Sequence, residues 1–317
     1  MDIAHLWHSL LWPLSRLLVS LSLGLLVANC IEALNWTRFL ARLAGPLIRF
    51  GHLRDVVGAS FSMAFFSGMA ANSLLAEANA AGRLSGRELI LANLFNSLPT
   101  YFLHLPQMFL VTLPFLGTRT ALTYVGLTLG AAFLRTLAIL CYGRIVLPPL
   151  PDGCVVCHLA EGGITWRKAL AKAWKRFAKR IRAMVLFTVP IYVAFHFLTV
   201  WGAFAAMERW LATHLSFLSW LTPQALSIVM FQVVAEFSAG LAAAGAMMGA
   251  GSLEAKQVVL ALLVGNILST PMRAFRHQFP YYAGIFKPRT AARLIIHNQA
   301  LRAASIVLVT VGYAVVG

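Results

Sequence analysis

Residues 86–117, GRELILANLFNSLPTYFLHLPQMFLVTLPFLG, decide how the rest of the chain is read. The stretch is long and apolar enough to enter a bilayer, for which a spanning helix needs about 20 residues. Pro99, Pro106 and Pro114 interrupt it. Each proline removes a backbone donor and clashes with the preceding turn, so the helix kinks or breaks. The expectation is a broken helix or a helical hairpin, entered through a turn at Gly82-Arg83-Leu84 with Ser85 as N-cap of the helix opening at Gly86-Arg87-Glu88. Outward from it, apolar spans are expected over 56–80 and 118–146, and a first one over 10–34, taken as a retained helix rather than a signal peptide. Between the first two spans, residues 35–54 alternate Arg38, Arg42 and Arg49 with Trp36, Phe39, Leu40, Leu43 and Ile48, the pattern of an amphipathic helix lying at the membrane interface.

Composition agrees with a lipid environment. Hydrophobic residues make up 60% of the 317 positions, charged residues 11%, and the mean hydropathy is +0.77. A soluble domain is nearer half apolar and a quarter charged. Spanning backbone must satisfy its own hydrogen bonds, so an all-α integral membrane protein is expected, and the alternating ten-residue strands of a barrel are not evident. The net charge of +16 reads as basic cytoplasmic loops beside anionic lipid headgroups rather than nucleic-acid binding. Its densest part is 166–182, where Lys168, Lys172, Lys175, Arg176, Lys179 and Arg180 recur among Trp166, Leu170, Trp174 and Phe177.

The plan is then repeated. A span over 183–203 precedes an amphipathic piece over 204–218, a span over 222–249, a turn at Gly251-Ser252, a Pro-broken segment over 253–286 and a last span over 290–316. Asn96 and Asn266, Thr100 and Thr270, and Arg119-Thr120-Ala121 and Arg289-Thr290-Ala291 are each 170 positions apart (266 − 96, 270 − 100, 289 − 119). The expected domains are a first membrane repeat over 1–147, a linker over 148–165 and a second repeat over 166–317. Each repeat would have about three spanning helices, an amphipathic interfacial helix and a Pro-broken helix or hairpin, as in repeat-built transporters. Basic segments on the cytoplasmic side and re-entrant broken segments give each half an odd number of crossings, and so two inverted structural repeats in the inner membrane.

The small-residue helix Phe66-Ser67-Gly68-Met69-Ala70-Ala71-Asn72, the Gly-Arg-Leu-Ser turn, and Glu88-Leu89-Ile90 leading to Asn96-Ser97-Leu98-Pro99 resemble the nucleoside-recognition, or Gate, domain family of membrane proteins. Phe237-Ser238-Ala239-Gly240 and Asn266-Ile267-Leu268-Ser269-Thr270-Pro271 echo the pattern in the second half. Similar segments occur in ferrous-iron transporter B, spore maturation membrane proteins and concentrative nucleoside transporters. The resemblance implies a permease or gate built on two repeats, without implying a nucleoside substrate.

The residues with the most chemistry lie in 266–287. Pro271 and Pro280 bracket Arg273, Arg276, His277 and Gln278. Arginines this deep in an apolar segment cost a few kcal/mol unless paired or hydrated. With helix-end N–H groups exposed at a break, they would hold a carboxylate or phosphate; otherwise they snorkel to the interface. Asn266 and Thr270 belong to the same break. The equivalent region of the first half is neutral, with Asn93, Asn96, Thr100, His104 and Gln107 available to a substrate or to helix packing. Glu236 is the carboxylate nearest the centre of an expected span, either a proton or cation coupling site or the partner of Arg135, Arg302, Arg273 or Arg276. Arg135 and Arg302 occupy near-equivalent places in the two halves. Cys154-Val155-Val156-Cys157-His158 supplies three of the four ligands of a zinc site and matches a haem-attachment pattern, and is otherwise a reduced loop. Cys30 and Cys141 are expected to pack inside helices. Glycines in 239–251, Gly245 and Gly249 among them, allow close helix packing, dimerisation or a flexible gate.

These features make a secondary transporter the leading expectation. It would bind a small or lipid-linked anionic solute between the repeats, coupled to protons or a cation through Glu236, with no cofactor unless the Cys loop holds a metal. A nucleoside or other neutral-solute transporter, or a non-transporting membrane component with a metal-binding Cys loop, are the alternatives. No nucleophile–base pair, P-loop or His-Glu-x-x-His pattern points to an enzyme.

Overall fold

The computed structural model describes residues 6–12, 44–149, 220–234, 237–274, 278–283 and 285–316, with isolated positions among 14–23 and 166–201. Every element with a described boundary is a helix. After a π-helical turn at Trp7–Leu11 come α1 (Ala44–Phe50), α2 (Asp55–Ala64), α3 (Gly68–Ala80), α4 (Gly86–Phe95) and α5 (Ser97–Val146). The second half contributes α6 (Pro223–Val234), α7 (Phe237–Gly249), α8 (Ala255–Leu268), α9 (Thr270–Arg273), α10 (Phe279–Ala283) and α11 (Pro288–Val316).

Local chemistry sets these boundaries. Ser85 and Glu88 close a full capping box: the Glu88 N–H donates to Ser85 Oγ at 3.3 Å, and the Ser85 N–H donates to Glu88 Oε2 at 2.8 Å. Gly82 and Gly251 take positive φ in the two expected turns. Ser67 caps α3 by accepting from the Ala70 N–H.

Three expectations change. The span over 56–80 is two packed helices, α2 and α3, split at Phe65–Ser67; the span over 222–249 is likewise α6 packed on α7. At about 1.5 Å per residue, helices of this size reach only part-way across a bilayer. The broken segments do not break at most of their prolines. Pro106 and Pro114 sit within α5, which instead turns at Gly117 (φ 70°, ψ 170°), and the first break falls at Asn96, between α4 and α5. Cys141, expected to be a packing residue, is exposed.

Among the described residues, two stretches are long and apolar enough to cross a membrane, Gly86–Val146 and Pro288–Val316. Leu122, Phe133, Leu134 and Leu137 on the second arm of α5, and Ile296, Val307, Leu308 and Val311 on α11, are exposed. Such outward apolar faces suit lipid better than water.

Among the described residues there are two cores. One holds α6, α7 and α8 with Ala121, Tyr124, Val125 and Ala131 of α5 and Ile306 of α11. The other holds α1 to α4 with Ile139 and Leu140 of α5 and Ala291 and Leu294 of α11. The arm 118–146 therefore passes from the first of these cores to the second, while α11 passes the opposite way. Arg135 and Arg302 fall between, where each long helix leaves one core and enters the next. Close approaches fasten the arrangement. A Cβ on Gly245 would lie 3.1 Å from the Phe115 carbonyl oxygen, and one on Gly143 2.5 Å from the Gly51 carbonyl oxygen, whereas Gly249 has open space.

Candidate functional site

The second half's helix break builds a cationic cluster between the cores. α8 ends at Leu268, Ser269 forms the junction (φ −74°, ψ −8°), and α9 starts at Thr270 with Pro271 in its first turn. Thr270 Oγ1 donates to the Asn266 carbonyl at 3.0 Å, using a helical acceptor at the break. The Asn266 side chain points inward: its Nδ2 donates to the Tyr124 hydroxyl at 3.3 Å, and its Oδ1 accepts from Arg302 Nη2 at 2.6 Å. Arg273 Nη2 donates to Ser269 Oγ at 3.1 Å. Arg302 interacts electrostatically with Arg273, Arg135, Tyr124 and Tyr101, which places α5, α9 and α11 around one region. Nη1 of Arg302 is buried and has no hydrogen-bond partner among the described residues.

A second device shapes this break from behind. With its amide oriented to satisfy both neighbours, Gln232 of α6 donates to the Leu262 carbonyl at 3.2 Å and accepts from the Asn266 N–H at 3.1 Å. These two groups are a helical i, i−4 pair, so a buried side chain bridges the ladder of α8 just before it ends. Gly265 leaves the room: any Cβ there would run into the Gln232 amide.

The first half's break is neutral. Asn96 Nδ2 donates to Ser60 Oγ at 2.6 Å, and Ser60 Oγ donates to the Ala71 carbonyl at 3.1 Å. Asn93 Nδ2 donates to Asn72 Oδ1 at 2.9 Å and to the Tyr282 hydroxyl at 3.2 Å, tying α3 and α4 to α10. Thr100 Oγ1 donates to the Asn96 carbonyl at 2.8 Å, as Thr270 does to Asn266. The region touches the cationic cluster through Arg135, whose Nε donates to Ser97 Oγ at 3.1 Å. Beside it the Tyr101 hydroxyl lies 2.7 Å from Thr128 Oγ1.

Of the residues expected to bind substrate, Arg273, Asn266 and Thr270 meet at the second break. Asn96 and Thr100 form the first. Gln278 accepts from Gln299 Nε2 of α11. His104 is exposed and Gln107 half-buried. Arg276, His277, Glu236, Cys154, Cys157 and His158 lie outside the described residues, as do Lys172, Arg176, Lys179 and Arg180 of the basic stretch over 166–182. At its described positions Trp166, Leu170 and Trp174 are exposed, while Phe177 and Ile181 pack against the core of α6 to α8.

Sequence reasoning missed Tyr101, Tyr124, Ser97 and Ser269, and took Arg135 and Arg302 only as partners of Glu236. Their signal was present. Each arginine stands inside an otherwise apolar run, a costly placement that asks for a partner or a function. An ion pair among the described residues joins Arg54 Nε and Glu88 Oε1 at 2.6 Å.

The chain is 25% identical to the uncharacterized protein MJ0871 of Methanocaldococcus jannaschii over 276 residues, covering 87% of this chain and 85% of the relative. It is 23% identical to MJ0880 of the same organism over 292 residues, 91% of this chain and 93% of that one, and 22% identical to MJ1556 over 287 residues, 89% and 88%. No protein-family model and no solved structure matches it.

Proposed function

We propose that the chain is a multi-pass secondary transporter of the inner membrane, made of two inverted repeats, that binds an anionic solute between them. The observation that carries this is the guanidinium cluster of Arg135, Arg273 and Arg302 between the two cores, with a buried donor of Arg302 left over. A buried guanidinium with a donor left over, as on Arg302, is strongly unfavourable, and a bound anion supplies the partner. Helix boundaries support the repeats. The arm begins at 118, after the turn at Gly117, and α11 begins at Pro288, so the two long helices start 170 positions apart (288 − 118). Opposite passage of the long helices through the cores supports inversion, and the exposed apolar faces support lipid as solvent. Helix breaks near mid-depth are where repeat-built transporters place substrate. Glu236, by its position in the sequence, is the coupling group. The exposed tryptophans beside Lys168 and Lys175 fit a cytoplasmic lipid surface.

The test is thermal stability of the purified protein in detergent, with phosphate, nucleotides, organic carboxylates and nucleosides, on wild type and Arg302→Gln. A ligand at 100 times its dissociation constant stabilises the native state by about 2.7 kcal/mol. Stabilisation by anions, lost in the variant, is the expected result. Stabilisation by nucleosides alone, equal in both proteins, would replace the anion with a neutral solute, as the Gate resemblance suggests.

A further inference from the structure

We infer that the anion carries a hydroxyl group beside its charge, and that Gln299 receives this hydroxyl; the inference rests on the anion-binding reading above. Gln299 and Arg302 stand three residues apart on α11, so their side chains leave the helix as neighbours. Ile295 and Ile306, one turn to either side, are buried, and the stripe faces the protein interior. Each of the two polar side chains is tied at one end. Gln299 Nε2 donates to Gln278 Oε1, just before α10, and Arg302 Nη2 donates to Asn266 Oδ1 of α8. What remains is complementary. Gln299 Oε1 and Arg302 Nη1 are both buried, and neither has a hydrogen-bond partner among the described residues. Gln299 as a whole is only 6% exposed.

A buried donor and a buried acceptor each give up water on folding and regain that bond only from a partner. An ionised carboxylate or a phosphate dianion satisfies the donor alone, because all its oxygens are acceptors. The acceptor needs an O–H or N–H on the same ligand. Counting acceptors decides between these. An ammonium brings three donors and a hydroxyl brings one. Among the described residues, the other buried acceptors without a partner are Asn96 Oδ1, at the first break, and Asp55 Oδ1, at the start of α2. Gln299 Oε1 is thus the single open acceptor on this face, and the hydroxyl is the smallest group that fills it. The charged end is better supplied. Tyr124, fully buried, accepts from Asn266 and keeps its own hydroxyl proton to give to an oxygen beside Arg302. The ligand is a hydroxylated organic anion, held by its charge at Arg302 and by its hydroxyl one helical turn away at Gln299.

Matched ligands test this. The full-length protein in detergent is melted with lactate against propionate and with glycerol 3-phosphate against propyl phosphate, pairs that differ only in hydroxyls, and with alanine as the amine counterpart of lactate. In at least one pair the hydroxylated member is expected to raise the melting temperature at about tenfold lower concentration than its partner, the discrimination a buried acceptor left unpaired imposes. Gln299→Leu is expected to bring the two members of that pair together, by losing affinity for the hydroxylated one. Where that variant does not fold, Gln299→Met removes the same acceptor with a side chain of similar length, and the wild-type comparison stands by itself. Discrimination that persists unchanged in the variant overturns the assignment of Gln299. Equal responses within both pairs overturn the hydroxyl and leave the anion site standing, and alanine acting at lower concentration than lactate replaces the hydroxyl with an ammonium. No response to any of these anions overturns both readings.

Discussion

At the first helix break Asn96 gives its amide to Ser60, in a network of neutral groups that meets Arg135 at Ser97; beside the second, Asn266 gives its amide to Tyr124 and its oxygen to Arg302. The two asparagines are 170 positions apart, and each has a threonine four residues on that donates to its carbonyl. The threonine bond is thus the same, but the helix ends at Asn96 in the first half and at Ser269, three residues past Asn266, in the second, and the chemistry differs. Behind the breaks the halves diverge in a compensated way. Position 62 is Ser where position 232 is Gln, and position 95 is Phe where position 265 is Gly (232 − 62 and 265 − 95 both equal 170). In the first half Phe95 stacks on Phe61 at 4.2 Å, and the space is filled by rings. In the second, glycine clears the space and the larger amide bridges α8. One half is packed as a scaffold, while the other carries a polar insertion directly beside its arginines.

Breaking the compensation has the largest expected effect. Gly265→Ala drives a methyl into the Gln232 amide and is expected to cost about 1–3 kcal/mol, as overpacked cores do. Adding Gln232→Ala should recover more than half of that, because Leu262 and Asn266 can then pair with each other; thermal or denaturant unfolding of the single and double variants measures the coupling. If the double variant is less stable than Gly265→Ala alone, the amide is not what the glycine accommodates. Next, Asn96→Ala removes a buried donor to Ser60 and is expected to cost about 1–3 kcal/mol while leaving the anion response of the protein intact. A lost anion response in that variant would mean that both breaks bind the solute. The smallest effect belongs to Glu88→Gln. It keeps the capping box and removes only the pair with a half-exposed Arg54, so melting should show a loss of about 1 kcal/mol or less.

Much of this was legible in the sequence because it follows from local rules. The Ser85 cap, the glycine turns and the helix start near residue 118 depend on a few neighbouring residues. The 170-residue offset, visible in pairs such as Asn96 and Asn266, recurs between Gly117, where α5 turns, and Lys287, just before α11. The short helices were not legible. Apolar content alone makes 56–80 look like one crossing, and the split at Phe65–Ser67 turns on a Ser67 cap inside that run. Prolines misled for the opposite reason, since Pro106 and Pro114 are accommodated within α5. The arginine cluster is a tertiary property. Arg135 and Arg302 are far apart in sequence, and only the opposed passage of their helices through two shared cores brings them together.

Opposed passage is also the claim that a single labelling experiment tests. Thr118 and Arg289 are exposed residues at the starts of the two long helices. With the native cysteines replaced by serine, Thr118→Cys and Arg289→Cys would each be treated with a membrane-impermeant maleimide in sealed vesicles of one orientation. Two inverted halves predict that one position labels at once and the other only after the membrane is permeabilised. Labelling of both from the same face would contradict the inversion and, with it, a site shared between two opposed repeats.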